Sequence, residues 1–162
     1  MLQVKNFSKI ALCAVLLLAA GCKGKEEPVE PTPEQPQTED PFVTPGNTED
    51  PHWVLTVEND MSSSMTAIVK VSFAKSAGTL AAFMGGECCG VAEYKAEYGL
   101  YWLYISPVSS DLLPTTNDVQ LRFYSPELKR IFNATSVFPY RNDTQLGSIA
   151  EPYTPEWAAA KD

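Results

Sequence analysis

The chain has 162 residues, with 12 Lys and Arg against 20 Asp and Glu, and a formal net charge of −8 at neutral pH. That balance excludes recognition of nucleic acid, or of an anionic membrane surface, through broad positive charge. A single histidine, His52, leaves little imidazole for acid–base or metal chemistry.

At the N-terminus Lys5 and Lys9 precede an uncharged apolar run from Ile10 to Ala20, and small residues follow at once. A basic start, an apolar middle and a small-residue end are the three parts of an export signal. The run is eleven residues long, too short to cross a bilayer that takes about 20. Its end, Leu18-Ala19-Ala20-Gly21-Cys22, resembles a bacterial lipobox, with Ala19 where an aliphatic residue is usual. The resemblance implies removal of residues 1–21 and thioether diacylation of Cys22, so that the first partner is a membrane, held through an N-terminal lipid. Several acyl chains on one cysteine anchor stably, since each buried methylene contributes about 0.8 kcal/mol and one chain alone holds weakly.

From Lys23 to His52 the composition changes abruptly. Pro28, Pro31, Pro33, Pro36, Pro41, Pro45 and Pro51 are interleaved with eight acids against Lys23 and Lys25. Prolines and like charges both favour an extended chain that buries no core, so 22–52 reads as the lipidated cysteine followed by a disordered acidic tether. Its start, Cys22-Lys23-Gly24-Lys25-Glu26-Glu27, resembles the lysine-plus-acid signals of Bacteroidota-type lipoproteins. That resemblance implies an outer-membrane lipoprotein displayed at the cell surface.

Residues 53–162 are enough for one domain with one modest core. Their apolar pattern has a period of two: Ala67, Val69, Val71 and Phe73 alternate with Thr66, Ile68, Lys70 and Ser72, which predicts a strand with one buried face. Similar runs predict strands at 53–57, 79–84, 88–94, 98–106, 119–125 and 128–133, with short edges near Phe138 and Leu146. Turn signals at Asn59-Asp60, Gly85-Gly86, Asn117-Asp118, Ser125-Pro126 and Asn142-Asp143 separate them. The expectation is an all-β fold, an antiparallel β-sandwich of Ig-like or jelly-roll-like topology. The three Asn-Asp pairs suit turns better than calcium, since they lack the alternating carboxylates of a loop-type site.

Ala82-Phe83-Met84-Gly85-Gly86-Glu87-Cys88-Cys89-Gly90-Val91-Ala92, then Gly99 to Leu103, then Phe138 with Asn142 to Gly147, resemble a small β-sandwich module of Bacteroidota surface lipoproteins. Its usual centre reads A-F-x-G-D-E-C-R-G-x-A. This chain departs from it at Gly86 and Cys89, where Asp and Arg are common. The resemblance implies a fold and a location and no particular activity.

Cys88 and Cys89 are the thiols outside the signal and the lipidation site. Neighbours on a strand point to opposite faces, and their 3.8 Å α-carbon separation is short for a disulfide. The expected role is packing, with one thiol in the core as a small apolar group. His52 lies outside the domain, so a zinc site has too few soft ligands and a hydrolytic triad has no base. Glu87, Glu93, Glu97, Asp111 and Asp118 form no recognisable glycosidase pair. No enzyme, no cofactor and no metal is therefore expected.

Binding suits the pattern better. The run from Tyr98 to Ser106 sets Tyr98, Leu100, Trp102 and Tyr104 on one face and Tyr101, Leu103 and Ile105 on the other. With the second set in the core, Tyr98, Trp102 and Tyr104 offer flat apolar faces with polar tips for stacking on sugar rings. The competing expectations are that these aromatics cover a second hydrophobic layer, or that they contact a protein partner as part of an envelope complex.

Overall fold

The computed structural model describes residues 39–56, 63–106 and 117–161. The export signal 1–21, Cys22, the tether up to residue 38, Val57 and Asn59-Asp60 lie outside the described residues.

The described residues form ten strands and no helix. They are β1 (Met65–Val69), β2 (Thr79–Met84), β3 (Glu87–Val91), β4 (Glu93–Lys95), β5 (Leu100–Ile105), β6 (Asp118–Ser125), β7 (Arg130–Ala134), β8 (Phe138–Pro139), β9 (Gln145–Leu146) and β10 (Trp157–Ala159). Two sheets pack face to face. One has the order β4-β5-β1-β9, the other β10-β7-β6-β2-β3, with β8 paired to the start of β6. Among the described strands the ladders are antiparallel except that between β1 and β9, which run parallel, and an isolated parallel bridge joins Val69 to Tyr153. The expected all-β sandwich is what the chain builds.

Alternation explains the core. Met65, Ala67 and Val69 of β1 and Tyr101, Leu103 and Ile105 of β5 face Leu80, Ala82 and Met84 of β2 and Val119, Leu121 and Phe123 of β6 across the sandwich, all buried. Phe123 and Phe132 are fully buried, and each such side chain contributes on the order of 1.5–3 kcal/mol over leaving it exposed. The C-terminal segment closes the core. Trp157 pairs with Ala134 through β10 and packs against Phe73 and Phe123, with ring centroids 6.1 Å away in both cases.

Three differences from the sequence reading have local causes. Past Lys70, whose N–H donates to Tyr153 O (2.9 Å) in a parallel bridge between Val69 and Tyr153, the expected strand 65–73 gives way to a turn over residues 72–73. The expected strand 88–94 is two strands in different sheets: β3 pairs with β2 and β4 pairs with β5. The crossing point is Ala92, whose N–H donates to Leu80 O (2.9 Å).

The third difference moves the domain boundary. Residues 40–56 are a strap laid on the sandwich rather than the end of a disordered tether. Phe42 sits 5.1 Å from Phe73 and stacks on Phe132 at 5.2 Å. Gly46 and Thr48 donate their N–H groups to Leu128 O (2.7 Å) and Lys129 O (2.9 Å). Further along, Trp53 meets Phe83 edge to face at 5.5 Å, and Thr56 N–H donates to Cys88 O (3.0 Å). Residues 53–56 of the expected strand at 53–57 belong to this strap, and among the described residues they make one backbone bond to β3 in place of a ladder.

Candidate functional site

The outward face of the β4-β5-β1-β9 sheet carries the candidate site. Across β5 and β1 the register sets Tyr104 beside Thr66 and Trp102 beside Ile68. On the flanks, Trp102 lies opposite Glu93 of β4, and Thr66 opposite Gln145 of β9. Directly paired residues share a face, so Trp102, Tyr104, Thr66, Ile68 and Gln145 are brought together by strand pairing alone.

Two glycines allow this face to form. A β-carbon on Gly90 would lie 2.5 Å from Tyr104 O, so the bare backbone of β3 is what lets β5 approach at the corner where the sheets meet. Ser106 N–H donates to Cys89 O (2.9 Å) at the same corner. Gly147 has φ of 74°, and a β-carbon there would lie 2.6 Å from Ile68 O and 2.5 Å from Tyr153 N. It turns the chain out of β9 into the 148–151 loop, which is fastened by Ser148 N–H to Glu151 O (2.9 Å) and Glu151 N–H to Ser148 Oγ (3.0 Å).

Together these parts enclose an open groove of about 570 Å³, with Thr66, Ile68, Trp102 and Tyr104 as its floor and Gln145, Ser148, Ile149 and Ala150 as its wall. Among the described residues no lining side chain is charged. Beside the groove, Lys95 Nζ is paired with Glu93 Oε1 and lies 5.3 Å from the Trp102 ring centroid. The hydrogen bond and charge of Glu93 push the Lys95 ammonium above its usual range, so these two charges are engaged with each other.

The three aromatics expected to bind divide into two roles. Tyr104 is 51% exposed and lines the groove; Trp102 lines it too but is half-buried. Tyr98 is exposed but does not line it. Its ring is parallel to Trp102, 6° off and 6.5 Å between centroids, and it buttresses the indole from the side. Leu100, on the same face, is buried. Trp102 Nε1 is buried with no hydrogen-bond partner among the described residues, so the indole offers a ligand its ring and not its donor.

Thr66 and Ile68 were legible as the outward residues of β1. Ser148, Ile149 and Ala150 were not, because nothing in their composition indicates that Gly147 folds them back over β1. The Asn142-Asp143 turn makes its own bonds: Ser63 Oγ donates to Asn142 Oδ1 (2.7 Å) and Asn142 Nδ2 to Asp143 Oδ2 (3.0 Å). Among the described residues no three His, Cys, Asp or Glu side chains gather as metal ligands.

The two thiols point to opposite faces, as expected. The β2–β3 ladder shifts register between Ala82 and Phe83, so that Cys88 lies opposite Phe83 and Gly90 opposite Ala82, with Cys89 as the extra residue. Cys89 is in the main core, and burial pushes its thiol up to about 12. Cys88 is also buried, in a second cluster with Ala81 and Phe83 beneath Trp53, and burial raises it too. Both are free thiols held in the unreactive protonated form.

Comparison with family models, with curated proteins and with solved structures found no match to this chain.

Proposed function

We propose that this chain is a lipid-anchored protein of the outer cell envelope, displayed at the surface, that binds an extracellular glycan without acting on it chemically. The observation that carries the reading is the uncharged groove in which exposed Tyr104 lies beside the Trp102 ring, rimmed by the Thr66, Ser148 and Gln145 side chains. Flat apolar rings against the C–H face of a sugar, with hydroxyl and amide groups at the edges for its hydroxyls, are the ingredients of a wet, oriented site. The anchoring half of the proposal rests on the N-terminal sequence, Leu18 to Cys22.

A glycan array probed with the chain from residue 23, which keeps the strap, tests the binding half, with Tyr104→Ala and Trp102→Ala run beside it. The expected result is selective retention that Tyr104→Ala abolishes while thermal unfolding is unchanged. A blank array from a folded chain overturns it and turns the search to a protein partner. For the anchor, metabolic labelling with a radioactive fatty acid is expected to mark the wild-type chain and not Cys22→Ala. Equal labelling of both would sink that half.

A further inference from the structure

We infer that the ligand is an uncharged glycan of several sugar units, running from the Trp102 and Tyr104 floor across Gln145 into an adjoining groove beside Arg141; this deepens the glycan reading above and rests on it.

The second groove, about 360 Å³, is lined by Met65, Phe138, Arg141, Thr144, Gln145 and Leu146 among others. Gln145 lines both grooves, so they meet at one exposed side chain. Its Nε2 donates to Gly147 O (2.8 Å), which fixes the amide and leaves its oxygen as the acceptor it can offer to a sugar hydroxyl. Each groove falls within the range of about 300–1,000 Å³ usual for sites that bury most of a small ligand, and two in series suit an oligomer better than one ring.

Charge decides the class. Among the described residues, none lining the first groove is a cation that could meet a carboxylate or sulfate, and the Lys95 ammonium beside it is paired with Glu93. The whole chain is acidic, which opposes the approach of a polyanion. Among the described residues Arg141 is the one cation lining either groove. Its planar fork of donors can hold neighbouring hydroxyls of a neutral sugar, whereas an acidic polymer would have to set its other carboxylates on uncharged ground.

The test is calorimetric titration of the chain from residue 23 with neutral ladders, xylo-, cello- and manno-oligosaccharides from monomer to hexamer, beside oligogalacturonates of the same lengths. The expected result is a neutral ladder whose Kd falls by about tenfold from dimer to tetramer, roughly 1.4 kcal/mol of added contact. Arg141→Ala, at an exposed position that lines only the second groove, is expected to erase that gain, leaving dimer binding and thermal unfolding unchanged, whereas Gln145→Ala, which borders both grooves, is expected to erase it and to weaken the dimer as well. Affinity that is flat with length, gain that survives both substitutions, or tighter binding of oligogalacturonate overturns the inference while leaving the platform reading intact. Silence from every ladder overturns it as well. The array then separates the cases: retention there keeps the platform reading, and a blank array removes both.

Discussion

Tyr104 and Trp102 sit on one strand and face one groove, yet their replacement has different physical content. Tyr104 is 51% exposed, so Tyr104→Ala is expected to change stability by no more than about 0.5 kcal/mol, and any lost binding is lost contact. Trp102 is half-buried and stacked with Tyr98, so Trp102→Ala is expected to cost about 1–3 kcal/mol as well. Urea unfolding of the two variants checks both figures, and equal losses would show that Tyr104 is structural too. Gly90→Ala forms a third case. A β-carbon 2.5 Å from Tyr104 O must push β5 away from β3, with an expected cost of about 1–3 kcal/mol and weakened binding on a face the glycine does not touch. A Gly90→Ala chain as stable as the wild type would refute the close approach.

Among the elements, the strap has the largest bearing on experiments. Phe42 is packed between Phe73 and Phe132 from outside the strands, and Phe42→Ala is expected to lower unfolding stability by about 1–3 kcal/mol, less than for a fully buried ring. A chain begun at residue 53 loses Phe42 together with the Gly46 and Thr48 bonds, and its denaturation midpoint is expected to fall below that of the Phe42→Ala chain. A midpoint equal to that of the longer chain would show the strap to be passive. The strap also marks what the sequence could not convey. β5 and most of β6 were readable because one buried face imposes a period of two on them, and β2 because its continuous apolar run from Leu80 to Met84 is buried on both faces. Phe42 and Trp53 are isolated anchors among prolines and acids, and no periodicity announces them. For the same reason the groove was half legible: Trp102 and Tyr104 follow from alternation within β5, whereas the 148–151 loop depends on Gly147 and on a parallel pairing between β1 and β9 that no local pattern encodes. The break at Ala92 was hidden because residues on both sides keep strand chemistry while changing sheets.

For the whole molecule, the buried ionisable groups weaken folding as pH rises into the alkaline range. Cys89 holds its proton up to about 12, against an ordinary thiol value of 9.0. Between those values the unfolded chain binds fewer protons than the folded one, so stability falls as pH rises, by up to about 1.4 kcal/mol per pH unit for one group. Cys88 and Tyr101 act in the same direction, both raised by burial; for Tyr101, whose ordinary value is 10.0, the effect starts later and is partly offset by the Gly78 N–H that its oxygen accepts (2.9 Å). The melting temperature is expected to decline above about pH 9, and Cys89→Ala to flatten the first part of that decline; an unchanged slope in the variant would rule Cys89 out as its source. The strap has a mechanical consequence as well. In the chain it precedes β1, one of the two inner strands of the sheet that carries the groove. Tension arriving from the N-terminal side meets the Phe42 seat, the Gly46 and Thr48 bonds and the Trp53–Phe83 contact before it reaches β1. Those attachments are made to the other sheet and to the edge of the core, so a pull from the N-terminal side is carried there before it reaches the strands under the groove.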